Sequence, residues 1–220
     1  MSISAQNSKF KNILFDFDGT LCDSSEGIFK SLTYAFVSLG HEAPSEELLR
    51  KFVGPPLYYS FSEFCGFSEE HSNEMTEKYR ERYRIKGYLE SRAYEGIPET
   101  LAVLKEAGFR LATASSKPLK FVDDICENVG IKQYFDYLGG TAFDNKTESK
   151  TVVIEKAMKA LGADTSNTLM VGDRLFDIEG AHNAGIPCCG VLYGFGSREE
   201  FLEYNADFIV EAPKDLLSIL

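Results

Sequence analysis

The chain predicts an α/β architecture: a doubly wound parallel sheet with an all-helical segment inserted after its first strand. Three observations carry this expectation. Short apolar runs alternate with amphipathic stretches of helical period, glycines punctuate the junctions, and residues 22–92 show helical patterning without a strand. Strands alternating with helices of about 10 to 15 residues are the pattern of βαβ units, whose crossovers cover both faces of a parallel sheet.

The elements follow in order. Residues 11–17 read as a short buried strand. From Ser24 the pattern turns helical, with Ile28, Leu32, Ala35, Phe36 and Leu39 on one face and Gly40 as a stop. Residues 45–87 continue as helical segments broken at Gly54-Pro55-Pro56 and at Gly66, and their charged run 77–84 is expected to face solvent, as are His41 and His71. After Gly96-Ile97, Pro98 suits a first helical turn. Leu101 and Leu104 form that helix's stripe, Gly108 closes it, and residues 110–114 are a strand. Phe121, Ile125 and Val129 mark a helix closed by Gly130; residues 137–138 are a short strand. Val152, Val153, Ala157 and Leu161 mark a helix ending at Gly162. A buried strand over 168–171, a helix to Gly185, and strands over 187–192 and 207–210 complete the chain. The division is therefore a discontinuous core, 1–21 with 93–220, and a helical insert, 22–92.

With 220 residues, 44% of them hydrophobic, the chain supports one sizeable core and a second small domain. A net charge of -11 and a pI near 4.8 argue against binding a nucleic-acid polymer, which needs Lys and Arg to neutralise phosphates. A small anionic substrate stays possible, because a bound cation reverses the field inside a pocket. The five cysteines form no CxxC and no zinc spacing, and Cys188-Cys189 lies in an apolar run expected in the core. The first eleven residues lack the apolar segment of a signal peptide, and no run of about 18 apolar residues exists to span a membrane. These features point to a cytoplasmic protein with free thiols. Monomer and homodimer both stay open.

In open α/β sheets, ligands bind beyond the carboxyl ends of the strands. Four such ends carry polar residues here: Asp16-Phe17-Asp18-Gly19-Thr20, then Ser115-Ser116-Lys117-Pro118, then the loop 139–144 with Lys150 opening the next helix, then Gly172-Asp173 through Asp177. Asp16, Asp18, Asp173 and Asp177 cannot all ionise side by side without a cation. Hard oxygen ligands with no His or Cys nearby favour Mg²⁺ over Zn²⁺. Gly19, Thr20, Ser115, Ser116 and Lys150 are the candidate phosphate holders, with Lys117 and Lys146 as alternatives to Lys150. Such a set suits hydrolysis of a small phosphate monoester. One aspartate attacks phosphorus and forms an aspartyl-phosphate. The other protonates the leaving oxygen and then takes a proton from the hydrolytic water.

The four motifs, in this order, resemble those of the haloacid dehalogenase-like superfamily, in its phosphatase branch with an inserted helical cap. Asp16-Phe17-Asp18-Gly19-Thr20-Leu21 looks like its first motif (DxDGT), Ser115 like its second, Lys150 like its third, and Gly172-Asp173 to Asp177 like its fourth (GDxxxD). The resemblance covers essentially the whole chain and implies a Rossmann-like core with a cap. It implies Asp16 as nucleophile and Asp18 as general acid/base. It also implies Mg²⁺ held by Asp16, the Asp18 backbone carbonyl and Asp173, with Asp177 supporting through water or from the outer shell. Gly54-Pro55-Pro56-Leu57 looks like the cap's substrate-facing loop, and Arg50 and Lys51 before it are candidates for a substrate's second anionic group. That loop and Gly96-Ile97-Pro98-Glu99-Thr100-Leu101 are similar to phosphoglycolate phosphatase-like and 5′-nucleotidase-like members. A dehalogenase would need neither Asp18 nor the metal acids. A sugar-phosphate mutase, or a phosphate-binding regulatory module without catalysis, would keep the same motifs.

Overall fold

The computed structural model describes residues 3–55, 57–142 and 148–220. Two compact units emerge: Met1–Cys22 with Ala93–Leu220, and Asp23–Arg92. The chain runs through β1 (Asn12–Phe15) and leaves by β2 (Cys22–Asp23). It then builds α1 (Ser25–Ser38), α2 (Glu46–Lys51), α3 (Leu57–Cys65) and α4 (Glu69–Tyr83), and returns by β3 (Arg92–Ala93), which pairs with β2. The remainder alternates: α5 (Ile97–Glu106), β4 (Arg110–Thr113), α6 (Leu119–Asn128), α7 (Lys150–Leu161), β5 (Thr168–Gly172), α8 (Leu175–Asn183), β6 (Cys188–Val191), α9 (Arg198–Glu203) and β7 (Phe208–Val210).

Five of these strands form one parallel sheet in the order β4-β1-β5-β6-β7. The first strand lies between β4 and β5, so the winding reverses direction at β1, which is the switch point where α/β sheets bind ligands. Phe15 is level with Thr113 on one side and Val171 on the other, so these three strands end together. Leu14, Ala112 and Met170 pack in one core cluster with Val153, Ile154 and Ala157 of α7 and Ile178 and Ala181 of α8. The alternate residues Ile13, Phe15, Leu111, Leu169 and Val171 are equally buried. A sheet covered on both faces explains why these strands read as unbroken apolar runs. Burial is worth about 1.5–3 kcal/mol for each large side chain, which sustains a site of costly buried charge at the strand ends.

Residues 137–138 make one bridge, Ala112 to Tyr137, rather than a strand. Backbone bonds run from the Thr113 N–H to the Tyr137 carbonyl (3.1 Å) and from the Ser115 N–H to the Gly139 carbonyl (3.4 Å), but the Gly139 N–H goes to the Thr113 hydroxyl (2.7 Å) and not to a backbone carbonyl, which interrupts the ladder.

In the helical unit, α1 and α4 pack against each other, and Phe36, Phe52, Phe61 and Phe67 form a ring cluster. His41 and His71 join this cluster rather than standing alone on the surface. Their Nε2 atoms are 2.7 Å apart, and His41 stacks on Phe67. The charged run 77–84 also has a buried side, Tyr79 and Tyr83, while Arg82 pairs with Glu90. Gly54 has φ +104°; Pro56, in the loop expected to face substrate, lies outside the described residues, as do Phe143, Asp144 and Lys146. Among the described residues no helix is long and apolar enough to cross a membrane. All five cysteines are free thiols, and Cys188 and Cys189 are buried in β6.

Candidate active site

The level ends of β1, β4 and β5 determine what comes next. The Asp16 N–H donates to the Val171 carbonyl (2.9 Å), and the Ala114 N–H donates to the Phe15 carbonyl (2.7 Å). The sheet thus grips the chain up to the residues that carry Asp16, Ser115 and Asp173. Asp16, Asp173 and Asp177 are 6%, 0% and 2% exposed, and one carboxylate oxygen from each lies within 4.8 Å of the others. Lys150, the first residue of α7, reaches in. Its Nζ is 2.6 Å from Asp16 Oδ1 and 2.6 Å from Asp177 Oδ1. Ser149 starts this helix by accepting the Val152 N–H, and Gly180 of α8 leaves room for the lysine stem.

Asp173 is held from two sides. The Thr20 hydroxyl donates to its Oδ1 (3.2 Å) and the Phe195 N–H to its Oδ2 (2.9 Å). Gly19, at φ +87°, makes the turn between Asp18 and Thr20, and a Cβ there would fall on the Asp173 carboxylate. Burial pushes the Asp173 carboxyl well above the ordinary aspartate range, and the Asp177 and Asp16 charges push it further. Burial also raises Asp177, to about 6; the Asp16 charge adds to this, while Lys150 and the Arg174 N–H (3.0 Å) work against it. For Lys150, burial opposes the ammonium, but Asp16 and Asp177 prevail and hold its pKa above the ordinary lysine value.

Three buried carboxylates against one ammonium leave an excess of negative charge. The donor set is oxygen only, and its atoms are close enough to share one ion. Both facts fit a hard divalent cation such as Mg²⁺.

Asp18 does not enter that cluster. Its two oxygens lie 2.8 and 2.9 Å from Lys117 Nζ. The chain turns right after β1, with the Gly19 N–H donating to the Cys22 carbonyl (2.9 Å), so Asp16 and Asp18 are served by different lysines. Ser115 is buried, and its Oγ accepts the Lys117 N–H (3.2 Å). The Ser116 carbonyl accepts the Thr141 hydroxyl (3.0 Å). Of the residues expected to hold phosphate, Gly19 and Thr20 thus direct the named donors to protein partners.

Sequence reasoning missed a fifth strand end, the one after β6. There Gly194-Phe195-Gly196 wraps Asp173: a Cβ on Gly194 would meet Asp173 Cβ and the Gly19 carbonyl, and one on Gly196 would meet the Asp173 carbonyl. The signal was available as a Gly-x-Gly beyond a buried strand. Glu200 of α9 was also missed; it accepts from Arg174 Nε (3.1 Å) and the Leu175 N–H (2.7 Å), fixing the start of α8.

With this fold and geometry, residues 13–191 match the family model of haloacid dehalogenase-like hydrolases. The chain belongs to that family. It is 39% identical over 192 residues to a 5′-nucleotidase of Pseudomonas aeruginosa, covering 87% of each chain. It is 36% identical over 219 residues to a phosphoglycolate phosphatase of Vibrio parahaemolyticus, covering 96% of each. A crystal structure described as a predicted phosphatase from Clostridium acetobutylicum superposes with a TM-score of 0.91 at 40% identity, covering 96% of this chain and 98% of that one. Within the family, the chain is an enzyme of the phosphatase branch, a phosphoric monoester hydrolase.

Proposed function

We propose that the protein is a Mg²⁺-dependent phosphatase that hydrolyses small phosphate monoesters through an aspartyl-phosphate on Asp16. The observation that carries this reading is the buried cluster of Asp16, Asp173 and Asp177 closed by Lys150. Asp16, Asp173 and the Asp18 carbonyl would hold the metal, with Asp177 supporting. When bound, Mg²⁺ would screen the charge between the Asp16 carboxylate and the phosphoryl group. Asp16 attacks phosphorus while Asp18 handles the proton, first toward the leaving oxygen and then from the hydrolytic water. Lys150 offsets the charge of Asp16 and of the phosphoryl oxygens. Ser115 and Ser116, in the segment just beyond the end of β4, bind those oxygens, and Thr20 keeps Asp173 aimed.

The relatives' names direct the choice of substrates to test, phosphoglycolate and nucleoside monophosphates. Discrimination between them is assigned to the helical unit, where Arg50 and Lys51 now sit in exposed pairs with Glu46 and Glu47. The five free thiols support a cytoplasmic setting. The test is a panel of phosphoglycolate, nucleoside monophosphates, sugar phosphates and p-nitrophenyl phosphate, with Mg²⁺ and with chelator. Turnover should need Mg²⁺, and Asp16→Asn should lower it by about a thousandfold or more while the circular dichroism spectrum is retained. Turnover by Asp16→Asn at the wild-type rate would overturn the assignment, and isomerisation without phosphate release would turn the reading to a mutase.

A further inference from the structure

We propose that Lys117 is the positioning residue for Asp18, a role that rests on the phosphatase reading above. Four observations converge. Lys117 Nζ bonds both Asp18 oxygens, at 2.8 and 2.9 Å. The pair is largely hidden, with side chains 5% and 15% exposed, so this is no solvated surface pair. The ammonium also lies 5.8 Å from the centroid of the Phe17 ring, and Phe17 is fully buried. Finally, the Lys117 backbone is fixed by its N–H bond to Ser115 Oγ at the end of β4.

A buried lysine costs several kcal/mol unless its charge is answered, and an exposed role would not require that burial. The arrangement explains why Asp18 stands apart from the other acids. Lys150 answers Asp16 and Asp177, Lys117 answers Asp18, and the three-carboxylate cluster does not include Asp18. An ammonium has three N–H directions, so one Asp18 oxygen stays anchored on Nζ while the other turns to the reacting group. In the first step an Asp16 oxygen bonds phosphorus, the bond to the leaving oxygen breaks, and that oxygen keeps the electron pair and takes the Asp18 proton. In the second, a water oxygen bonds phosphorus, the Asp16–phosphorus linkage breaks, and Asp18 takes the water's proton. Lys117 exchanges no proton and no bond; it sets where Asp18 waits.

Leaving-group dependence separates this role from a structural one. A nitrophenolate departs without a proton, whereas an alkoxide does not, and kcat/KM reports the step in which it leaves. Full-length, Mg²⁺-loaded Lys117→Met is assayed on p-nitrophenyl phosphate and on phosphoglycolate, with inhibition by inorganic phosphate measured in parallel. The expected result is a kcat/KM loss of about a hundredfold on the alkyl ester, at least tenfold greater than on the aryl ester. The phosphate inhibition constant should stay within about twofold, and Lys117→Arg should recover part of the loss. Equal losses on the two esters would show a structural role. A weakened inhibition constant matching the kcat/KM loss would make Lys117 a phosphate ligand. Either outcome overturns the proposal. If Lys117→Met does not fold, Lys117→Gln takes its place: an alkyl-to-aryl ratio equal to wild type refutes the role. Asp16→Asn, run alongside, separates the two readings, because an active Asp16→Asn defeats the phosphatase mechanism itself.

Discussion

Gly19 is a residue where the first and fourth motifs touch, beside the Thr20 bond to Asp173. Its φ of +87° lies in the region that L side chains avoid, at a cost of about 1–2 kcal/mol. Its missing Cβ would also fall on the Asp173 carboxylate. The two constraints reinforce each other, since the turn must be left-handed and must bring the backbone against a buried acid. Gly19→Ala should therefore lose about 1–3 kcal/mol in urea denaturation and most of its Mg²⁺-dependent turnover. Wild-type turnover in a folded Gly19→Ala would show that Asp173 is free to move aside. Gly172 stands in the same relation to Asp177, where a Cβ would meet the side-chain Cβ and carboxyl. The glycines of the two acidic motifs thus both make room for carboxylates of the fourth, Gly19 for Asp173 and Gly172 for Asp177.

At the level of elements, the pairing of α7 with α8 delivers the central lysine. A Cβ on Gly180 would lie 2.7 Å from Lys150 Cγ and 2.9 Å from its Cβ, near the rigid base of the side chain. Helix propensity alone would make Gly180→Ala stabilising by up to about 1 kcal/mol. Overpacking costs about 1–3 kcal/mol, so the expected net effect is a lower urea midpoint, with turnover reduced as Lys150 is pushed off Asp16 and Asp177. A higher midpoint with unchanged turnover would refute this. Gly180 illustrates what the sequence hid. A glycine inside a helix pattern carries no mark of which neighbouring helix it admits. Lys150 itself was legible as the opening of a helix, but its two partners 134 and 27 residues away were not. The strands were legible because burial on both faces makes them apolar throughout. Residues 137–138 misled because the Gly139 N–H, which would continue a ladder, is taken by the Thr113 side chain. His41 and His71 misled because the partners of a half-buried imidazole come from the packing of rings far apart in sequence. Asp16, Asp18, Asp173 and Asp177 stood out because acids at apolar strand ends have few other uses; the Gly194-Phe195-Gly196 wrap showed only as a Gly-x-Gly beyond a buried strand, a spacing that does not say which carboxylate it encloses.

For the whole molecule, the site makes stability depend on pH and on the cation together. The Asp177 pKa is raised to about 6 in the folded protein and that of Asp173 is raised as well, so between about pH 4 and 6 the folded state binds more protons than the unfolded one. Stability from this source therefore falls as pH rises through that window. Lys150 does not oppose the trend there: its raised pKa gives a contribution that is fully present below the ordinary lysine value and is lost only at higher, alkaline pH. Asp23, lowered on balance by Ser25 and Arg92 against its burial, acts in a separate window: its contribution is present above the ordinary aspartate value and fades as pH drops below it. A cation bound by the ionised carboxylates reverses the loss, and ligand present at a hundred times its dissociation constant adds about 2.7 kcal/mol. In chelator, the thermal midpoint should thus decline from pH 4 toward pH 7. Mg²⁺ should raise it clearly at pH 7 and hardly at pH 4, where protons already neutralise the acids. Asp173→Asn should lose the Mg²⁺ increment at pH 7, with sodium chloride of equal ionic strength as the control. The same Mg²⁺ shift at both pH values, or its survival in Asp173→Asn, would place the cation elsewhere on a protein whose net charge of -11 offers many weak sites.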